Sequence, residues 1–175
     1  MLFHPGTHDF VAFDMAWGGK HHPTIPVYLG ANSGHGKRGH PKSEKDQQNK
    51  AAFMLKHFFP SKVKGDLLAP PKVKSERKGK TLRASVSFTP DSGEESGRIW
   101  WIYDRAPDGS PNYLSEMIPD NQTKEMKKMG GSWTATIPLP ATAKQIDFFS
   151  NHGRTLSYNK NAYKTYISSP YTRVQ

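Results

Sequence analysis

The stretch "TLRASVSF", residues 81–88, alternates without a break. Leu82, Ala84, Val86 and Phe88 fall on one side, and Thr81, Arg83, Ser85 and Ser87 on the other. A period of two is the signature of a strand with one buried face. "GRIWWIYD" (97–104) repeats it, with Ile99, Trp101 and Tyr103 set against Trp100 and Ile102. "WTATIPL" (133–139) puts Trp133, Ala135 and Ile137 on one face, and "AKQIDFFS" (143–150) and "AYKTYISS" (162–169) extend the series. Turn signals separate these runs: "PDSGEESG", "APDGSPN", Gly130-Gly131, "PLPAT", "NHG" and "NKN". Short alternating strands at this spacing predict an all-β, immunoglobulin-like sandwich of about seven strands. It is expected to occupy residues 72–175.

Upstream the grammar changes. "MLFHPGTHD" is a short apolar run ending in a glycine turn and Asp9. "FVAFDMAWGG" has loose helical spacing, with Phe10, Phe13 and Trp17 on one side, and stops at Gly18-Gly19. "TIPVYLGAN" reads as a buried strand running into the glycine-rich loop "GANSGHGKRGH" (30–40). "PKSEKDQQNKAAFMLKHFFP" reads as a helix. It has Pro41 and Ser43 at its start, acids in its first turn, Lys56 and His57 near its end, and Pro60 as its stop. Strand, loop and helix in that order form α/β grammar. The expected fold is therefore mixed: a short α/β segment over 1–62, a linker over 63–71, and the sandwich.

The chain has 175 residues and no cysteine, which excludes disulfides, thiolate metal sites and cysteine nucleophiles. No run approaches the about 18 apolar residues of a membrane span, and the N-terminus has no signal-peptide pattern. The formal net charge is +10, from 25 Lys and Arg against 15 Asp and Glu. Basic residues gather at Lys62, Lys64, Lys72, Lys74, Arg77, Lys78 and Lys80, and again at Lys124, Lys127 and Lys128. A solvated basic surface accounts for them, and an anionic polysaccharide is the alternative. No nucleic-acid motif accompanies them, so no nucleic-acid partner is expected.

Asp9 and His35 each follow a short apolar run. In an α/β sheet both would emerge at the carboxyl edge, where sites are built. A histidine works as a base when a carboxylate fixes its tautomer, so the pair is a candidate base and its orienter. The competing reading is a surface histidine and a turn aspartate. Trp100 and Trp101 face opposite sides of their strand, so one of them is a candidate stacking platform for sugars. Metal chemistry is the weaker reading of His4, His8, His21, His22, His35 and His40: no helical His-x-x-x-His pair is present, and no metal or other cofactor is expected. Ser61–Lys64 and Ser75–Lys78 match Ser-x-x-Lys by chance in a lysine-rich chain. "NQT" at Asn121 is a glycosylation acceptor only in a eukaryotic secretory pathway.

"PGTHDF" (5–10), "PVYLGANSGHGKR" (26–38) and "NKAAFMLKHFF" (49–59) resemble, in order, the acid turn, last strand, base loop and last helix of a serine α/β-hydrolase. The similarity is to the bacterial esterase and PhoPQ-activated hydrolase group, some members of which carry a C-terminal β-sandwich. The resemblance implies a carboxylic-ester hydrolase with His35 as general base and Asp9 as its acid, Asp14 being the runner-up. It implies that Asn32, Ser33, Gly34 and Gly36 shape the loop, and that Lys37 or Arg38 meets an anionic substrate group. It also implies a bacterial, secreted or periplasmic setting, with an acylated polysaccharide as one ester substrate. The departure is the nucleophile. No Gly-x-Ser-x-Gly elbow occurs in the sequence, and Ser33 in "GANSG" is a poor substitute. The serine is thus expected from an upstream hydrolase segment, or the short first piece docks on the sandwich or on a second copy of the chain. The rival expectation is a non-catalytic sandwich that binds a polysaccharide or a partner domain.

Overall fold

A computed structural model describes residues 2–9, 24–34, 44–105, 114 and 116–175. Among the described residues the architecture is a sandwich of two antiparallel sheets with one helix packed against it. The strands are β1 (Lys72–Lys78), β2 (Thr81–Ser87), β3 (Ser96–Tyr103), β4 (Thr123–Glu125), β5 (Lys127–Met129), β6 (Ser132–Pro138), β7 (Ile146–Tyr158), β8 (Asn161–Ser168) and β9 (Thr172–Val174). The helix, α1, runs Glu44–Phe58. One sheet has the order β1-β2-β6-β5; the other has β4-β3-β7-β8, with β9 also on β7. In chain-order letters these are A-B-E-D and C′-C-F-G, which coincides with the arrangement of immunoglobulin sandwiches. The β5–β6 hairpin turns on Gly130 and Gly131, both at positive φ (55° and 79°), the backbone a two-residue type I′ turn demands.

The alternation read from the sequence places the core. Leu82, Ala84 and Val86 of β2 meet Ile99 and Trp101 of β3, Trp133, Ala135 and Ile137 of β6, and Ile146 and Phe148 of β7. Burying such side chains contributes roughly 1.5–3 kcal/mol each, before the entropy of ordering them. The predicted strands all form. β1, β4, β5 and β9 extend the set, and β1 starts directly after the expected linker.

The second sheet is covered on its outer face as well. Trp100 of β3 and Phe149 of β7 point away from the inter-sheet core. Leu29, Ile118 and Tyr171 close over them. Trp100 and Phe149 stack with ring centres 5.6 Å apart. The upstream segment supplies Leu29 to this cover and is held there by hydrogen bonds. Ser168 N–H donates to Val27 O (2.8 Å), Leu29 N–H to Ser168 Oγ (2.7 Å), and Asn151 Nδ2 to Leu29 O (3.0 Å). The helix docks beside it. Asn49 is buried, and its amide bonds the backbone of Tyr166 and the hydroxyl of Thr165.

The α/β expectation for residues 1–62 is met only in part. Helix α1 forms, with Glu44 and Asp46 in its first turn and Lys56 and His57 in its last. The two apolar runs meet in parallel, but through two isolated bridges, Phe3 with Val27 and Gly6 with Gly30. No hydrolase-type sheet stands among the described residues. The expected helical stretch from Phe10 to Gly19 lies outside them. No described helix is long and apolar enough to cross a membrane.

Candidate functional site

The two parallel bridges bring the ends of both apolar runs to one edge. There the turn 5–9 and the loop 30–34 are stitched together. Gly30 N–H donates to Pro5 O (2.8 Å), Thr7 N–H to Gly30 O (2.9 Å) and His8 N–H to Ser33 O (2.9 Å). Asn32 N–H donates to the Thr7 hydroxyl (2.8 Å). Glycine is required on both sides of this seam. A Cβ at Gly6 would lie 2.2 Å from the Ser33 carbonyl oxygen, and one at Gly30 2.3 Å from Ser33 Oγ.

Asp9 ends the turn and is 6% exposed. Its own N–H closes the turn onto Gly6 O (2.9 Å). A second carboxylate stands close by. Asp46, from the first turn of α1, is 4% exposed, and its Oδ1 would lie 3.6 Å from a Cβ at Gly30. The sequence shows Asp46 as an ordinary first-turn acid. Its burial comes from the way α1 docks behind the loop, which no local pattern encodes.

The loop residues have defined tasks. Asn32 adopts positive φ (54°), and its side chain clamps Ile118: Nδ2 donates to Ile118 O (3.0 Å) and Oδ1 accepts from Ile118 N–H (2.8 Å). Ser33 is 1% exposed and donates its hydroxyl to Gly30 O (3.0 Å). A buried hydroxyl committed to a carbonyl is loop structure, not a nucleophile. Gly34 is buried. His35, Gly36, Lys37 and Arg38 lie outside the described residues, as do Asp14, His21, His22 and His40.

His4 and His8 are drawn into the fold. His4 Nε2 meets Asn49 Nδ2 at 2.9 Å, and His8 Nδ1 is hydrogen-bonded to Leu114 O. Among the described residues no three His, Asp or Glu gather as a metal site.

The stacking platform expected of Trp100 or Trp101 needs correction. Trp101 is 2% exposed, inside the inter-sheet core, and Trp100 is 9% exposed beneath Leu29 and Ile118. Trp100 does reach one cleft of about 170 Å³, between the start of α1 and β3, β4, β7 and β8. Tyr166, Lys45 and the Arg98–Glu125 pair line it. Arg98 Nε donates to Glu125 Oε1 at 3.0 Å, and Lys45 Nζ lies 5.5 Å from the Tyr166 ring centre.

No family model matches the sequence, and no curated protein matches it. Among solved structures, the chain is similar to a carbohydrate-binding module family 56 β-1,3-glucan binding domain. Identity is 14% and the TM-score 0.34, over 57% of this chain and 98% of that one. A likeness at that level carries nothing about what this chain binds. The comparisons lend the hydrolase resemblance no support.

Proposed function

We propose that residues 1–62 carry the acid and base of a carboxylic-ester hydrolase, with Asp9 orienting His35. One observation supports the reading above others. The Asp9 turn and the Gly30–Gly34 loop, far apart in sequence, are hydrogen-bonded at one edge of a parallel pair, with Asp9 buried. His35 is the next residue after Gly34. A buried carboxylate beside the entry to a Gly-His-Gly loop is what a general base needs to hold its tautomer. The nucleophile of such an enzyme is not in this sequence, so ester turnover requires a serine supplied by another segment. NMR of ¹⁵N-histidine-labelled protein tests the pair directly. The expected result is a slowly exchanging His35 ring N–H signal that disappears in Asp9→Asn. An unchanged His35 ring in folded Asp9→Asn overturns the assignment.

A second reading is favoured by the cleft at Trp100: a non-catalytic module that binds a polysaccharide. An aromatic edge, a phenol and a paired guanidinium and carboxylate are the groups a sugar ring meets in a binding site. Calorimetry with neutral oligosaccharides, on the wild type and Arg98→Ala, tests it. Heat of binding abolished by Arg98→Ala supports the reading; no heat from any saccharide removes it.

A further inference from the structure

The outer face of the β1-β2-β6-β5 sheet collects basic residues that the sequence scatters over two clusters. Its register defines rows across the four strands. One row is Lys74, Ser85, Thr134 and Lys127. On one side of it stands the row Lys72, Ser87, Ser132 and Met129; on the other, Glu76, Arg83 and Thr136. Beyond that come Lys78 and Thr81. Directly opposed residues share a face, and the inward partners Leu82, Ala84, Val86, Trp133, Ala135 and Ile137 fix these rows as outward. Lys124 joins from β4 by donating its ammonium to Thr136 O (2.6 Å). Glu76 is the acid within the rows, and it pairs with Lys78 at 3.3 Å.

The two central strands thus present a floor of hydroxyls, from Thr81, Ser85, Ser87, Ser132, Thr134 and Thr136. Lys72, Lys74 and Lys78 stand along β1, Lys127 stands on β5, and Arg83 rises from the floor. A shallow groove of about 410 Å³ runs between Arg83, Lys124, Lys127 and Thr134; Glu125 also lines it, its carboxylate ion-paired with Arg98. Same-face residues along a strand are roughly 6.8 Å apart, twice the rise per residue, so the cations form an open lattice rather than a single pocket.

We propose that this sheet face binds an anionic polysaccharide, one bearing carboxylate or sulfate groups on its sugars. Charge complementarity selects a polyanion. The hydroxyl floor selects sugar hydroxyls as the second contact, since each Ser or Thr both donates and accepts. The rows carry no aromatic ring on which a base could stack, which weighs against single-stranded nucleic acid. The face lies on the sheet opposite the one that carries the Asp9 turn, so the inference stands independently of the hydrolase reading.

Affinity electrophoresis through gels containing sodium polygalacturonate, a neutral β-glucan or duplex DNA tests it. Three proteins are compared: the wild type, the face variant Lys74→Gln/Arg83→Gln/Lys127→Gln, and a control, Lys50→Gln/Lys62→Gln/Lys160→Gln, with the same charge removed elsewhere. The expected result is retardation of the wild type and the control by polygalacturonate. The face variant should bind about tenfold more weakly or worse, and wild-type binding should fade between about 0.05 and 0.5 M salt. All positions are exposed, so the variants should fold; near-UV circular dichroism checks that, and Arg83→Glu alone is the fallback. Equal loss in both triple variants means non-specific attraction and overturns the proposal. So does stronger retardation by DNA than by polygalacturonate, or no retardation by polygalacturonate.

Discussion

Asn49 of α1 pairs with Tyr166 of β8 as a strand residue would. Its Oδ1 accepts the Tyr166 N–H at 2.9 Å and its Nδ2 donates to the Tyr166 C=O at 2.9 Å. The same Oδ1 takes the Thr165 hydroxyl at 2.9 Å. One side chain thus caps the backbone of a sheet edge and fixes the helix against it.

Asn49→Leu should therefore cost more than a lost surface contact. It orphans the Tyr166 N–H and C=O in a half-buried setting, at up to about 1–3 kcal/mol for each unsatisfied group. Hydrogen exchange should show α1 amides losing protection while β2, β3 and β6 keep theirs. Uniform loss across both sheets would mean that the helix and sandwich unfold as one unit.

Gly6 and Gly30 should fail in distinguishable ways. A Cβ at Gly30 meets the Ser33 hydroxyl, whereas one at Gly6 meets the Ser33 backbone. Each Gly→Ala change should destabilise by about 1–3 kcal/mol through overpacking. Adding Ser33→Ala should restore most of the loss for Gly30→Ala and little for Gly6→Ala. Denaturant melts of the five variants, including Ser33→Ala alone, check this.

His152 and Glu94 should give the sandwich an acid limit. His152 is fully buried, its ring edge-on to Phe88 and Trp133 at 5.0 and 5.7 Å, with Nε2 2.9 Å from Ser150 Oγ. Burial pushes it from 6.5 down to about 4, against the pull of the Glu94 charge. The unfolded chain thus takes up the proton first. Stability should be complete above about pH 6.5 and decline as the pH falls toward 4, by about 3 kcal/mol. Burial pushes the Glu94 carboxyl up, but Lys128, Ser92, its own backbone N–H and the Trp133 indole outweigh that and hold it at about 2. Its contribution is present above 4.5 and is lost as the pH falls from there toward 2. Denaturant midpoints at pH 7.5, 5.5 and 4.5 should fall in that order. A flat profile over that interval would contradict a neutral buried His152.

Asp147 is fully buried and accepts from Tyr171 Oη (2.5 Å), Arg173 Nε (2.6 Å) and Arg173 Nη2 (2.7 Å). Asp147→Ala removes the buried anion that Arg173, Arg105 and Tyr171 face and should cost about 3–5 kcal/mol. Its thermal melt should fall well below that of Thr142→Ala, an exposed change at the loop before β7.

The inter-sheet core was legible because β2 and β6 alternate cleanly and the core residues of β2, β3 and β6 are apolar. β1 was harder to read. In "KVKSERK" Val73 is the apolar residue, since an edge strand with a solvated outer face needs little else. β4 and β5 are three residues each, too short for any period to show. The covered outer face is encoded as well, in doubled apolar residues. Adjacent pairs such as Trp100-Trp101 and Phe148-Phe149 mean that both sides of a strand are apolar, so both sides need partners. Neither Trp100 nor Trp101 is therefore an open platform: Trp101 sits between the sheets, and Leu29 and Ile118 close over Trp100. The Asp9 turn and the Gly30 loop were readable as two ends of apolar runs. Their contact rests on hydrogen bonds between distant backbones, which composition cannot carry. Asp46 was hidden for the same reason.

The bonds from Ser168 to Val27 and Leu29 also set a timetable. Leu29 is held by a hydroxyl 139 positions later in the chain. At about 5–20 residues per second, a ribosome delivers that hydroxyl roughly 7–28 s after Leu29 itself. The segment with the Asp9 turn is made early and can settle only when the last strands arrive. During that interval Val27 and Leu29 lack the Ser168 bonds that hold them, and a nascent chain stalled before β8 should expose them to chaperones and proteases.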